Sequence, residues 1–177
     1  MKQVYLLTGR PGTGKTSLIK QAVAEMGGGA GGFYTEEMRS RGVREGFRLV
    51  TLDGQRAILA YIDIRSQYRV SRYGVDIDSL NRVGVSALQQ AAEQCDLVVV
   101  DEIGKMELFS AEFRQAVLNI IDSGRRLLGT IMFSPNPWAD TIKRKPQVKL
   151  ITVTKTNHPQ VVDELLHWLK AEKSLKL

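Results

Sequence analysis

The segment Gly9-Arg10-Pro11-Gly12-Thr13-Gly14-Lys15-Thr16 constrains this chain more than any other part of it. It fills the pattern G-x-x-x-x-G-K-S/T, which carries meaning only between a strand and a helix. Both are legible here. Val4 to Thr8 is short, apolar and β-prone, and from Lys15 the residues Leu18, Ile19, Ala22, Val23 and Met26 recur at helical spacing. Glycines let backbone N–H groups turn inward around an anion with no Cβ in the way. The helix N-terminus adds partial positive charge. In such a loop Lys15 reaches the β- and γ-phosphates and the Thr16 hydroxyl ligates Mg²⁺. The predicted nucleotide-binding set is Gly9, Arg10, Pro11, Gly12, Thr13, Gly14, Lys15, Thr16 and Ser17, with Lys15 also catalytic.

The rest of the chain alternates strand and helix. Ser79 to Gln94 reads as a helix, and Leu97 to Val100 as a strand covered on both faces. Ser110 caps a helix that Gly124 ends. Leu127 to Phe133 is a strand, Trp138 to Arg144 a short helix and Val148 to Val153 a strand. Val161, Val162, Leu165, Leu166 and Leu169 mark a last amphipathic helix. The pattern predicts an α/β domain with a mostly parallel sheet and right-handed crossovers. One stretch departs from it. Residues of roughly 32–64 read as a β-meander insertion, with turns at Arg39-Ser40-Arg41-Gly42 and Leu52-Asp53-Gly54-Gln55. Gly27 to Gly32 reads as a helix stop and flexible turn, and Arg65 to Asp78 as a loop. The whole of 1–177 reads as one domain, with no internal repeat.

A second half of the site follows from Leu97-Val98-Val99-Val100-Asp101-Glu102, where an apolar strand runs into two acids at its C-terminal end. Ligands of open α/β sheets bind at that end. Asp101 is placed to hold Mg²⁺, and Glu102 to orient or deprotonate an attacking water. Lys105 and Glu107 follow at once, close enough in sequence to reach the phosphates or to serve only as loop and helix-entry residues.

On these residues the chain resembles the small nucleoside-triphosphatases of the THEP1 type, which have a human cancer-related relative. The matching segments are Gly9 to Thr16, Gly32 to Glu37, Gly46 to Gly54, Asp101 to Ser110 and Val153-Thr154-Lys155, in order over nearly the whole chain. The resemblance implies a RecA-like P-loop fold. It also implies Mg²⁺-dependent hydrolysis of several nucleoside triphosphates, with broad base tolerance. Where the family tends to carry Asn-Arg, this chain has Asn157-His158, and His158 offers no permanent guanidinium plane for stacking a base. Candidates for an arginine finger or sensor are Arg39, Arg41, Arg44, Arg69, Arg72 and Lys105, with Arg39 and Lys105 placed first.

Composition closes off other classes. Charge is 25 basic against 19 acidic residues, or +6, and the basic residues are spread out apart from Lys143-Arg144-Lys145 and Lys170, Lys173 and Lys176. That excess suits phosphate-rich substrates and leaves nucleic acid as a weaker partner. No apolar run approaches the ~20 residues of a membrane helix. The lone cysteine, Cys95, favours a reducing, cytoplasmic setting. A monomer is expected, since no feature demands more. The rival activity is a nucleotide or small-molecule kinase on the same loop, with arginines between Arg65 and Arg82 binding the acceptor. A guanine-specific switch fits poorly, because Thr154-Lys155-Thr156-Asn157 only distantly echoes Asn-Lys-x-Asp.

Overall fold

The computed structural model describes residues 2–171. Strand β1 (Val4–Thr8) is buried at every position and leads through the glycine loop into α1 (Lys15–Met26). Three long antiparallel-linked strands follow: β2 (Ala30–Ser40), β3 (Val43–Thr51) and β4 (Arg56–Tyr61). A short hairpin of β5 (Arg69–Val70) and β6 (Tyr73–Val75) comes next. The chain then turns helical through α2 (Ile77–Ser79), a π-helical stretch at Leu80–Val85 and α3 (Ser86–Gln94). β7 (Leu97–Ile103), α4 (Ala111–Asp122), β8 (Leu127–Ile131), α5 (Pro137–Lys143), β9 (Val148–Thr152) and α6 (His158–Ala171) complete it.

All nine strands described form one sheet in the order β5-β6-β4-β3-β2-β7-β8-β1-β9. The run β2-β7-β8-β1-β9 is parallel throughout, and every pairing beyond β2 is antiparallel. The meander is therefore an extension of the central sheet. β2 joins the two regimes: Ala30 to Phe33 pair with β7, and from Phe33 onward the strand pairs with β3. β8 lies between the strand feeding the glycine loop and the strand carrying the acidic pair.

The continuous apolar runs are explained by two-sided burial. Along β1, Val4 and Leu6 join the core under α3, α4 and α5, whereas Tyr5 and Leu7 face α1 and α6. β7 splits the same way, Val98 and Val100 to one side, Leu97 and Val99 to the other. α6 is fastened by Trp168, whose ring stacks on Tyr5 at 4.1 Å between centroids and whose indole N–H donates to the Lys2 carbonyl at 3.0 Å. Ser110 caps α4 by accepting from the Phe113 N–H, as its sequence position predicts.

Two expectations need correction. The glycine run does stop α1, through the left-handed Gly27, but β2 already begins at Ala30. A Cβ on Gly31 would lie 2.8 Å from Cys95 Sγ and 2.9 Å from Ala91 Cβ, so close packing of α3 on the strand requires glycine there. The 65–78 segment is not simply a loop, since β5 and β6 carry the antiparallel region on to Val75. The fold class stands as expected: the five-strand centre is parallel, and the antiparallel pairings belong to the meander and the hairpin after it.

Among the described residues no helix is long and apolar enough to cross a membrane. Two residues of the basic run are ion-paired. Lys143 pairs with Asp140 at 3.6 Å and Lys145 with Asp122 at 3.1 Å. Lys173 and Lys176 lie outside the described residues.

Candidate active site

The loop from Gly9 to Gly14 is closed on itself. Thr13 Oγ1 donates to the Arg10 carbonyl at 2.9 Å, and Lys15 Nζ folds back to donate to the Gly9 and Arg10 carbonyls, each at 3.0 Å. α1 starts at a left-handed Gly14 with no side-chain cap, so its first-turn amides keep their donors for an anion. His158, the first residue of α6, props the loop from outside. Its Nε2 lies 2.5 Å from the Thr13 carbonyl, which as a pure acceptor makes this nitrogen the protonated one. A Cβ on Gly14 would come within 2.7 Å of the same ring.

Asp101 sits on β7, two strands away, and is only 2% exposed. Both its oxygens are used: Thr16 Oγ1 donates to Oδ2 at 2.7 Å, and Thr130 Oγ1 on β8 donates to Oδ1 at 2.5 Å. Burial pushes this carboxyl up, while the two hydroxyls, Lys20 and Lys15 pull it down. Burial, then Asp101, pushes the Tyr34 phenol on β2 up to about 12. The Thr16–Asp101 pair is the expected magnesium pair brought into contact. Among the described residues no group of three or more His, Cys, Asp or Glu is placed to hold a metal ion. A hydroxyl plus one carboxylate nonetheless suits Mg²⁺, which takes one or two carboxylates and completes its shell with water and substrate phosphates.

Glu102 follows across a cis peptide bond, and burial and the Asp101 charge push its carboxyl up against the opposing pull of Lys15. Its carboxylate fits because residue 104 is glycine: a Cβ there would collide with Glu102 Oε1. Glu107, in a 3-10 turn (Glu107–Phe109), is 4% exposed. Burial foremost, and then Glu102, holds its carboxyl well above the ordinary value, although backbone amides of Glu107 and Gly104 favour the charge.

These residues open on a cavity of about 350 Å³. Gly9, Pro11 and Lys15 line it from the loop, Glu102, Lys105 and Glu107 from the end of β7 and the turn after it, and Thr35 from β2. The structure thus gathers the phosphate loop, Glu102 and Lys105. Arg39 does not join that lining. It lies four residues beyond Thr35, roughly 13 Å along the strand, and its guanidinium bonds Glu37 and the Gly42 carbonyl in the hairpin turn. Arg44 shares Glu37, while Arg69 and Arg72 donate to backbone carbonyls. Asn157 is used in its own turn, accepting from the Thr154 N–H at 2.8 Å and donating to the Thr152 carbonyl at 2.9 Å.

Three residues at the site escaped the sequence reading of roles. Thr130 is a lone hydroxyl in an apolar strand, a signal only once β8 is known to neighbour β7. Glu107 stays ambiguous until its burial is seen. Phe133, 51% exposed at the cavity, reads simply as the end of a strand.

Known proteins identify the family and the fold. A family model described as NTPase matches residues 4–166. The nucleoside-triphosphatase THEP1 of Thermotoga sp. strain RQ2 is 44% identical over 171 residues, covering 97% of this chain and 98% of that one. The crystal structure of THEP1 from the hyperthermophile Aquifex aeolicus superposes with a TM-score of 0.86 at 34% identity, over 94% of this chain and 98% of that one. The solution structure of a human cancer-related nucleoside triphosphatase gives 0.80 at 36% identity, over 97% and 98%.

Proposed function

Because the chain belongs to the THEP1-type family of nucleoside-triphosphatases, we propose that it hydrolyses nucleoside triphosphates to diphosphate and phosphate. The reaction is in-line attack of water on the γ-phosphorus in a single P-loop domain that acts as a monomer. The observation that carries this reading is one cavity wall. Glu102 lines it together with Gly9, Pro11 and Lys15, and its chain neighbour Asp101 is hydrogen-bonded to Thr16.

In this reading the α1 amides and Lys15 bind the phosphates, Lys15 exchanging its two loop carbonyls for phosphate oxygens. Glu102 orients the water and accepts its proton. Thr16 and Asp101 would hold Mg²⁺, which would supply positive charge against the phosphate oxygens. Thr130 fixes the carboxylate that faces Thr16. Lys105, at the cavity, takes the sensor role; Arg39, bonded to Glu37, stabilises the hairpin. Broad base tolerance is supported by what lies beyond β9. Asn157 is spent on its turn and His158 on Thr13, which leaves no fixed amide–carboxylate pair to read a base edge. The kinase alternative is not favoured, since the family matched is one of triphosphatases.

The test is phosphate release from ATP, GTP, CTP and UTP with Mg²⁺, with and without nucleoside monophosphates. Glu102→Gln is expected to bind Mg-nucleotide normally and turn over at least ~10²-fold more slowly. Lys15→Ala is expected to lose both binding and turnover. Normal hydrolysis by Glu102→Gln would remove the glutamate from the water-activating role, and diphosphates made from monophosphates with little free phosphate would mean a kinase.

A further inference from the structure

The cavity is much larger than hydrolysis needs. About 350 Å³ is open, and beside the γ-phosphate end at Gly9, Pro11 and Lys15 the attacking water requires only on the order of 15 Å³ of such space. That volume falls in the range of small-molecule sites. Its position is one-sided. The phosphate loop follows β1, and Thr154 to His158 lie after the edge strand β9. The cavity spreads the other way, over β8, β7 and the antiparallel strands. It therefore takes in the terminal-phosphate end of the site at Gly9, Pro11 and Lys15 and continues past it to the antiparallel strands.

The walls are chemically divided. Phe47, Leu59 and Val70, from β3, β4 and β5, line the outer part and belong to no phosphate machinery. Met106 and Met132 add flexible apolar surface. Phe133 lines the cavity and is 51% exposed, which leaves an aromatic face open. The polar part of the lining holds an acceptor, Glu102, a donor, Lys105, and Ser134.

We propose that this cavity binds a second small ligand beside the γ-phosphate: a neutral alcohol with an apolar, ring-sized body. The body fills the space among Phe47, Leu59 and Val70 and packs on Phe133. The hydroxyl suits the polar part of the lining because it can both donate, as to Glu102, and accept, as from Lys105. A carboxylate in its place has no proton to donate to Glu102. The ligand's hydroxyl takes the place of the attacking water, so occupancy slows hydrolysis. The inference rests on the proposed function for the place of the γ-phosphate, and goes beyond it in assigning the antiparallel extension a binding role.

The experiment uses the full chain with Mg·ADP and 2-phenylethanol as probe, read by ligand-observed NMR titration. Saturable binding is expected, at least tenfold tighter than that of phenylacetate, which keeps the body and replaces the hydroxyl by a carboxylate. Phosphate release from ATP falls with the same midpoint. Val70→Phe fills the outer cavity and Phe133→Ala removes the stacking face; each weakens the titration at least fivefold. Both positions are at least partly exposed, and a melting curve checks the fold. Absent saturation, equal binding of the carboxylate, or a titration untouched by both variants overturns the proposal. If ATP is neither bound nor hydrolysed the functional reading fails, while the alcohol titration of the chain without nucleotide still decides this site.

Discussion

Thr130→Val tests how the metal carboxylate is held. The change is nearly isosteric and removes a single hydroxyl, the one that donates to Asp101 Oδ1 at 2.5 Å. Asp101 is 2% exposed, so water does not replace the lost donor. Only Thr16 is left on the carboxylate, and Thr16 is itself needed for Mg²⁺. A hydrogen bond to a charged group is worth about 1.5–3 kcal/mol, and an acceptor left buried costs a similar amount. We expect a loss of about 2 kcal/mol, which for a chain of this size is a fall in Tm of roughly 4–8 °C. The sign with pH is fixed. Burial already pushes Asp101 up, and losing a bond to the charged form pushes it further. The destabilisation is therefore larger at pH 8 than at pH 5, where the carboxyl is more readily neutral. The same shift raises the Mg²⁺ concentration for half-maximal hydrolysis. The assays are thermal unfolding at both pH values and metal titration of phosphate release, with Thr130→Ser expected to restore both. An unchanged Tm together with an unchanged metal requirement would refute the assignment of Thr130 as the support of Asp101.

Three further outcomes are expected. Gly104→Ala drives a Cβ into the Glu102 carboxylate and should cut kcat about 10²-fold with nucleotide affinity nearly unchanged; a normal kcat would show that Glu102 has room to move. Glu107, held well above the ordinary value of 4.5, contributes stability below that value that is lost as pH rises through its raised pKa. The stability difference between the parent chain and Glu107→Gln should therefore fall with rising pH, and a flat difference in denaturant titrations counts against a neutral, buried acid. His158→Ala loses the contact to Thr13 and should weaken nucleotide binding about 3–10-fold, from a hydrogen bond worth about 0.5–1.5 kcal/mol. If base preference changes instead, the ring reads the base and does not support the loop.

The phosphate loop, its flanking elements and the acidic pair were legible in the sequence because each is local. A glycine loop between Thr8 and Lys15 needs only its own residues to turn. Apolar runs such as Leu97 to Val100 declare two-sided burial wherever they lie in a sheet. The Ser110 cap and the turns at Arg41-Gly42 and Asp53-Gly54 are likewise settled within a few residues. Strand order is not local. Nothing in Thr130 states that β8 will lie between β1 and β7, yet that neighbourhood turns its hydroxyl into the second support of Asp101. The same holds for Arg39 and Lys105, equal candidates as residue types. Strand length carries Arg39 out along the hairpin to Glu37, while the turn after β7 folds Lys105 back to the cavity. Gly31 reads as a hinge until Ala91 and Cys95 are packed against it. Glu107 reads as a helix-entry residue until burial raises its pKa. The sequence by itself determined which atoms are available for phosphate chemistry, because backbone sterics and period are written in neighbouring residues. The tertiary structure decided which atoms meet and which are desolvated, because contact and burial depend on residues as far apart as Thr16 and Asp101.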